Sequence, residues 1–213
     1  MNNQTPQFDM DLGQLFNHYG SDKDLTGYTS LYHALFHHRR KEKLNLLEIG
    51  IGTMLPGAHS SMVGYALPDY SPGGSLRAWR DYFTCAKIYG IDVQPDTQFS
   101  EERITTHLCD STDAAQVESF FKTVDGLMFD IIVDDGSHID ANQLKTFENF
   151  YPHLKKGGFY IIEDLNEEAV LLAKPHSLEP ICGRDSYFFV GMQNNLCVIF
   201  KDHLRRGLSP YNY

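Results

Sequence analysis

The sequence lacks the features that mark membrane-spanning, secreted or thiol-redox proteins. No apolar run approaches the roughly 18 residues that a membrane-spanning helix needs. The first seven residues, MNNQTPQ, have neither the basic start nor the apolar centre of a secretion signal. The four cysteines, at positions 85, 109, 182 and 197, show no C-x-x-C spacing. We therefore expect a cytoplasmic protein that makes no membrane contact and keeps its cysteines reduced.

Positive charge is also scarce in this chain. It has 28 acidic against 18 basic residues and a formal net charge of -10, which would repel a polyphosphate. The one basic cluster, at His37 to Lys41 with Lys43 beyond it, is interpreted as a complement to the negative end of a helix dipole. A nucleic-acid partner is not predicted.

The amino-terminal part of the chain shows the apolar spacing of amphipathic helices. One stripe has the spacing i, i+3, i+4 and i+7 and consists of Leu12, Leu15, Phe16 and Tyr19. The second runs from Tyr28 to Phe36, after a polar break at Gly20 to Lys23. With 213 residues, of which 42% are hydrophobic, we expect one domain. Residues 1–43 would be its helical cap or lid, and residues 44–213 its main unit.

From residue 44 onward, short apolar runs alternate with helical stretches, which is typical of a parallel sheet. The predicted strands are Leu44 to Ile49, Lys87 to Ile91, Arg103 to Leu108, Phe129 to Val133 and Phe159 to Ile162. Two further runs, Tyr187 to Val190 and Leu196 to Phe200, leave no room for a crossover helix and predict an antiparallel hairpin. The sequence therefore predicts a doubly wound, Rossmann-like α/β fold, mostly parallel, with a carboxyl-terminal hairpin.

A glycine turn follows the first predicted strand. Gly50 and Gly52 let a ligand lie against the backbone at the carboxyl edge of the sheet. The dinucleotide fingerprint G-x-G-x-x-G is incomplete, because Leu55 stands at its third glycine. Glu48, inside the same strand, needs a partner for its charge in an apolar core, either a cationic amino-acid moiety of a ligand or a backbone amide.

Acids also end the second and third predicted strands. Asp92 is placed to accept hydrogen bonds from both hydroxyls of a ribose. Asp110 would face an adenine amino group, although the stretch from Asp110 to Asp113 could equally supply the cap of the next helix. Between the first two strands lies a long loop, Thr53 to Gly74, which is interpreted as a lid or binding loop, with a passive surface excursion as the alternative.

Four acids end the next two strands, as Asp134 with Asp135 and Glu163 with Asp164. If a crossover helix joins these strands, their ends lie about 5 Å apart. Carboxylates this close repel one another unless a cation or protons intervene, and hard oxygen ligands suit Mg²⁺, with Mn²⁺ or Ca²⁺ as alternatives. Side chains alternate along a strand, so one acid of each pair should face the crevice unless the backbone turns, and spacing does not choose between Asp134 and Asp135. The alternative is that these acids cap helices and bind loop amides.

His138 is the histidine that directly adjoins these acids. A neutral imidazole at this position would take a proton from a hydroxyl group, so His138 is the candidate general base. A structural histidine is the alternative.

Several segments of the chain together resemble one known family. They are YGSDK, LLEIGIG, GGSLRAW, YGID, FDIIVDDGSH and YIIEDL, in this order along the chain. The chain resembles the metal-dependent sugar O-methyltransferases of macrolide biosynthesis, of the mycinamicin and macrocin type, from about residue 12 to about residue 200. Its most specific part is the pair of motifs DDGSH and IEDL. Some members carry an added amino-terminal domain, which 213 residues are too few to contain.

The resemblance implies a class I methyltransferase fold in residues 44–213, with S-adenosylmethionine and Mg²⁺ as cofactors. It places Mg²⁺ on Asp135, Glu163 and Asp164, and it makes His138, beside Asp135, the catalytic base. Asp134 is left as support on the cofactor side. The positions that would meet S-adenosylmethionine are Gly50, Gly52, Asp92 and Asp110, with Glu48 beside them.

The predicted reaction is methyl transfer to a hydroxyl of a small diol-containing acceptor. The acceptor that fits best is a sugar of a natural product or a glycan. A nicotinamide-dependent dehydrogenase, a metal-dependent hydrolase and a non-catalytic cofactor-binding protein are the alternatives. A homo-oligomer is compatible with the sequence.

Overall fold

The computed structural model describes residues 10–58, 61–64, 70–165, 178–183, 185–191 and 195–202. The strands in chain order are β1 Asn45–Ile49, β2 Lys87–Asp92, β3 Ser100–Glu101, β4 Ile104–Leu108, β5 Phe129–Asp134, β6 Leu154–Leu165, β7 Ser186–Val190 and β8 Asn195–Phe200. The helices are α1 Leu12–His18, α2 Tyr28–Phe36, α3 Gly74–Tyr82, α4 Ala114–Thr123, α5 Asp140–Phe150 and α6 Glu179–Cys182.

The strands form one sheet with the order β3-β4-β2-β1-β5-β6-β8-β7. Five neighbouring strands, β4, β2, β1, β5 and β6, run parallel, whereas β8 is antiparallel to β6 and β7 is antiparallel to β8. The predicted doubly wound sheet and its carboxyl-terminal hairpin are therefore confirmed. Residues 192–194 of the hairpin turn lie outside the described residues.

Two features of the sheet differ from the sequence prediction. The edge strand β3 was not predicted, because two residues are too few to show a pattern. Strand β6 begins at Leu154 rather than at Phe159, and Leu154 pairs with Phe129 ahead of an irregularity in the β5–β6 register. The polar and glycine residues from Lys155 to Gly158 concealed this first part of the strand.

The amino-terminal helices share a hydrophobic core with one face of the sheet. Leu12, Leu15 and Phe16 of α1 are fully buried in the cluster that also contains residues of β1, β5 and β6. Phe16 and Tyr32 each set a ring edge-on against Trp79 of α3, with centroids 5.0 Å apart. The segment that precedes β1 is thus packed as part of the α/β unit.

The second hydrophobic cluster lies on the opposite face of the sheet, under α4 and α5. Cys109, Cys182 and Cys197 are buried in it, and all four cysteines of the chain are free thiols. Among the described helices, none combines the length and apolarity that a bilayer crossing requires.

Phe16→Ala is expected to lower the free energy of unfolding by about 3–5 kcal/mol, because it removes a fully buried aromatic ring and leaves a cavity against Trp79. Urea unfolding followed by far-ultraviolet circular dichroism measures the change. Phe188→Ala is the matched control, since the Phe188 side chain is 44% exposed, and its loss should be about 1 kcal/mol or less. Equal losses in the two variants would show that α1 does not belong to the cooperative core.

Candidate active site

The main cavity of the described structure lies at the carboxyl edge of the parallel strands. The chain passes from β1 to β2 on one side and later adds β5 on the other side of β1, so this edge is the topological switch point where ligands bind in open α/β sheets. The cavity has a volume of about 760 Å³. Of the predicted site residues, it is lined by Gly50, Gly52, Asp92, Asp110, Asp135, His138, Glu163 and Asp164.

The glycine turn after β1 is closed against the end of β5. Gly50 has φ +91°, and a Cβ added there would lie 2.1 Å from the carbonyl oxygen of Asp135. Gly52 has φ +85°, and its Cβ would lie 2.3 Å from the hydroxyl oxygen of Tyr70. That hydroxyl lies 3.0 Å from the carbonyl oxygen of Gly52 and 3.2 Å from that of Ile51. Both positions therefore need glycine.

Asp92 supports the glycine turn from the end of β2. One carboxylate oxygen accepts a hydrogen bond from the backbone N–H of Ile51 at 2.8 Å, and the other accepts from that of Gln94 at 2.8 Å. Burial raises the pKa of Asp92, while these backbone hydrogen bonds act in the opposite direction. Each carboxylate oxygen has a second lone pair, so Asp92 can still accept hydrogen bonds from a ligand in the cavity.

The two acids after β4 occupy different positions. Asp113 caps α4, because its side chain accepts hydrogen bonds from the N–H groups of Ala115 and Gln116. Asp110 lines the cavity and accepts hydrogen bonds from the backbone N–H of Thr112 at 2.9 Å and from its hydroxyl at 2.7 Å.

The two acids at the end of β5 occupy different environments. Asp134 is 1% exposed, does not line the cavity and accepts a hydrogen bond from the hydroxyl of Tyr160 at 3.3 Å. Its burial raises its pKa to about 7. Asp135 lines the cavity. The spacing of the sequence did not decide which of the two acids faces the cavity. In the structure Asp135 faces it, and Asp134 lies buried behind it.

Both acids at the end of β6 reach the cavity because the backbone turns there. Asp164 has φ +52°, and the register between β6 and β8 shifts between Ile162 and Leu165. This irregularity interrupts the strict alternation of side chains. Glu163 and Asp164 consequently line the same cavity.

Asp135, His138 and Asp164 form a potential metal-binding group, in which one donor atom from each side chain lies within 4.8 Å of the others. The Nε2 atom of His138 is 3.5 Å from an oxygen of Asp135 and 3.5 Å from an oxygen of Asp164. The neighbouring carboxylate of Asp135 raises the pKa of His138, although burial opposes this shift. Of the three predicted ligands, this group contains Asp135 and Asp164 but not Glu163, and two converging carboxylates fit a divalent cation such as Mg²⁺.

A buried lysine, which the sequence analysis did not identify, lies among the acids. The Nζ atom of Lys23 is 2.6 Å from Asp135, 2.5 Å from Glu163 and 3.3 Å from Glu48. Burial would lower the pKa of Lys23, but these carboxylates together raise it well above its usual value. Glu48 also accepts a hydrogen bond from the indole N–H of Trp79 at 2.9 Å. Its charge is therefore paired within the protein, and Glu48 does not line the cavity.

Two tyrosines of α2 bind the acids of β6. The hydroxyl of Tyr28 donates to Asp164, and that of Tyr32 donates to Glu163. The polar break at Gly20 to Lys23 enters the sequence analysis as a helix boundary and as part of the YGSDK segment of the family resemblance, and the apolar stripe of α2 enters it only as a helix signal. The one clue in the sequence to their role was the excess of acids at the strand ends, which requires cationic or hydroxyl partners.

The predicted lid is described only in part. Thr53, Ala58, Ser61 and Met62 line the cavity. Asp96 holds the start of this loop, since it accepts hydrogen bonds from the hydroxyl of Thr53 at 2.6 Å and from the N–H of Met54 at 2.8 Å. Residues 59–60 and 65–69 of the loop lie outside the described residues.

Comparison with characterised proteins identifies several sugar O-methyltransferases as relatives, although no protein-family model matches the chain. Demethylmacrocin O-methyltransferase of Streptomyces fradiae is 36% identical over 157 residues, which are 73% of this chain and 36% of that protein. An O-methyltransferase of Streptomyces olivaceus, which methylates the 3'-position of 8-demethyl-8-(2-methoxy-alpha-L-rhamnosyl)-tetracenomycin C, is 38% identical over 159 residues, 73% of this chain and 37% of that protein. The chain thus spans a little over a third of these relatives.

Solved structures agree with the sequence relatives. The mycinamycin-pathway methyltransferase MycE, determined in complex with Mg, SAH and mycinamycin VI, is 27% identical, with a TM-score of 0.74 over 94% of this chain and 57% of that one. A putative ribosomal RNA methyltransferase of Plasmodium falciparum, with 14% identity and a TM-score of 0.58, shares the fold. The resemblance expected from the sequence is therefore confirmed, and the chain is a homologue of the macrolide sugar O-methyltransferases with the class I methyltransferase fold.

Proposed function

We propose that the protein is an S-adenosylmethionine-dependent, Mg²⁺-assisted O-methyltransferase that acts on a hydroxyl of a small diol-containing acceptor, such as a sugar of a natural product or a glycan. The observation that carries this proposal is the arrangement of one cavity. Its one side is built from the glycine turn and Asp92, and its other side from Asp135, Asp164 and His138. A methyl donor and a chelated acceptor would thereby meet at adjoining positions.

The cofactor side of the cavity suits a nucleoside-containing ligand. The whole cavity has a volume of about 760 Å³, which lies within the range of small-molecule sites. Gly50 and Gly52 allow close approach to the backbone, Asp92 would bind the ribose hydroxyls, and Asp110 would face the adenine. Glu48 and Asp134 would act indirectly, because neither lines the cavity.

The metal side of the cavity offers three acids, Asp135, Glu163 and Asp164, as the proposed ligands. When bound, S-adenosylmethionine supplies the methyl group and Mg²⁺ supplies positive charge that lowers the pKa of an acceptor hydroxyl. The rigid placement of Asp135 and Asp164, on neighbouring strand ends, would orient two adjacent oxygens of a diol. MycE, whose structure contains Mg and SAH, supports this assignment.

His138 would accept the proton of the acceptor hydroxyl at Nε2. This atom faces the carboxylates of Asp135 and Asp164, so it lies beside the place where the acceptor oxygen would be held. Four further points stay predictions. They are closure over the site by the amino-terminal segment and the loop from Thr53, the cytoplasmic location, the absence of a nucleic-acid partner and a homo-oligomeric state.

Wild-type protein is expected to bind S-adenosylmethionine in a calorimetric titration and to methylate members of a panel of diol-containing glycosides. EDTA should abolish the methyl transfer and added Mg²⁺ should restore it, whereas Asp135→Asn should stay inactive with Mg²⁺. Asp113→Asn is the control, because Asp113 does not line the cavity and an asparagine preserves the cap of α4. A hydrolase or a dehydrogenase would give no heat with this cofactor, and full activity in EDTA would refute the role of the metal.

Gly50→Ala is expected to weaken S-adenosylmethionine binding by at least tenfold, because the new Cβ would displace the turn from the carbonyl oxygen of Asp135. Gly57→Ala is a matched control: Gly57 also has positive φ, at +78°, but a Cβ there meets nothing within 4 Å. The affinity of both variants is measured by calorimetry at a temperature where both are folded. Equal affinities would contradict the assignment of the turn to the cofactor.

His138→Gln is expected to lower kcat by about 10²- to 10⁴-fold, the usual contribution of a general base, and to leave the affinity for S-adenosylmethionine unchanged. His38→Gln, at an exposed position of the basic cluster, should leave both quantities unchanged. Steady-state methyl transfer and calorimetry make the comparison. A His138→Gln enzyme with wild-type kcat would exclude His138 as the base.

A further inference from the structure

Lys23 connects the amino-terminal segment to three strands of the sheet. It lies in a short 3₁₀ turn, Asp22–Asp24, between α1 and α2, and its side chain is 2% exposed. Its Nζ atom meets Glu48 of β1, Asp135 directly after β5 and Glu163 of β6. A lysine is rarely buried to this extent unless it is paired with acids. Here the pairing holds together the ends of three adjacent strands.

The contacts of Lys23 fix the orientation of two carboxylates. In Asp135, Oδ2 is bound to Lys23, while Oδ1 faces Nε2 of His138. In Glu163, Oε2 is bound to Lys23, while Oε1 accepts a hydrogen bond from Tyr32. One oxygen of each carboxylate is therefore held on the lysine side, which sets the direction of the other.

We propose that Lys23 is a positioning residue for the metal site, which holds Asp135 and Glu163 in the orientation that a divalent cation requires. This inference rests on the proposed function, because it assumes that the acids hold a metal. It makes Lys23 a part of the site that supports the ligands without being one of them.

Two possible roles of Lys23, a competing cation and a positioning residue, predict opposite changes in metal affinity when the lysine is removed. If the lysine were only a competing cation, its removal would increase the attraction of the remaining carboxylates for a divalent ion. If it positions the ligands, its removal lets Glu48, Asp135 and Glu163 repel one another and rotate apart, and affinity falls. Outer partners of metal ligands commonly contribute 10–100-fold to metal affinity. The sign of the change therefore separates the two roles.

The test is a titration of the full chain with Mn²⁺, followed by electron paramagnetic resonance, for wild type, Lys23→Met and Lys155→Met. Lys155 is the matched control, because it pairs with Asp130 at 2.8 Å near the opposite ends of β5 and β6. We expect Lys23→Met to bind Mn²⁺ about 10–100-fold more weakly and with an altered spectrum of the bound ion. Lys155→Met should match wild type in both respects.

Circular dichroism and thermal unfolding without metal establish that each variant is folded at the temperature of the titration. If Lys23→Met does not fold, Lys23→Arg replaces it, since it keeps the charge but changes the geometry, and weaker Mn²⁺ binding is again expected. Mn²⁺ affinity equal to or tighter than wild type in the folded variant would overturn the positioning role. Wild-type protein that binds neither Mn²⁺ nor Mg²⁺ would instead overturn the metal site of the proposed function, and the role of Lys23 with it.

Discussion

Repulsion between carboxylates is the constraint on which the rest of this structure depends. Glu48, Asp135, Glu163 and Asp164 come from three adjacent strand ends, and two like charges 4 Å apart repel by about 4 kcal/mol at an effective dielectric constant of 20. Lys23 forms ion pairs with three of these carboxylates, and two tyrosine hydroxyls of α2 donate hydrogen bonds to the acids of β6. The segment that precedes the sheet therefore supplies partners that offset this repulsion.

The amino-terminal segment accordingly has two physical tasks. Its apolar residues, among them Phe16, bury themselves against α3 and one face of the sheet. Its polar residues, Lys23 and Tyr28, line the cavity and satisfy the acids there. Packing of the core therefore places these partners of the acids at the site. A segment that the sequence described only as a cap is a structural part of the candidate site.

Much of the fold was predictable, because it depends on periodic patterns that a single sequence displays. The apolar runs predicted the parallel strands. The short spacing between the last two runs, the second of which begins at Leu196, predicted the hairpin. The glycine turn and the acids were predictable because their chemistry is local. Lys23 was not, since its partners are 25, 112 and 140 positions away along the chain. The positive φ of Asp164, which brings both acids of β6 to the cavity, was not predictable either, because no sequence pattern signals a positive φ at a non-glycine residue.

The contact between Gly50 and the carbonyl of Asp135 has a consequence for how this site can vary. The N–H of Asp135 donates to the carbonyl of Ile49 at 2.9 Å, so the two halves of the cavity are joined by a main-chain hydrogen bond as well as by the side chain of Lys23. This main-chain hydrogen bond does not depend on any side-chain rotamer. Side chains that line the cavity, such as Met62, can therefore be exchanged while the main-chain contact between the glycine turn and the end of β5 is kept.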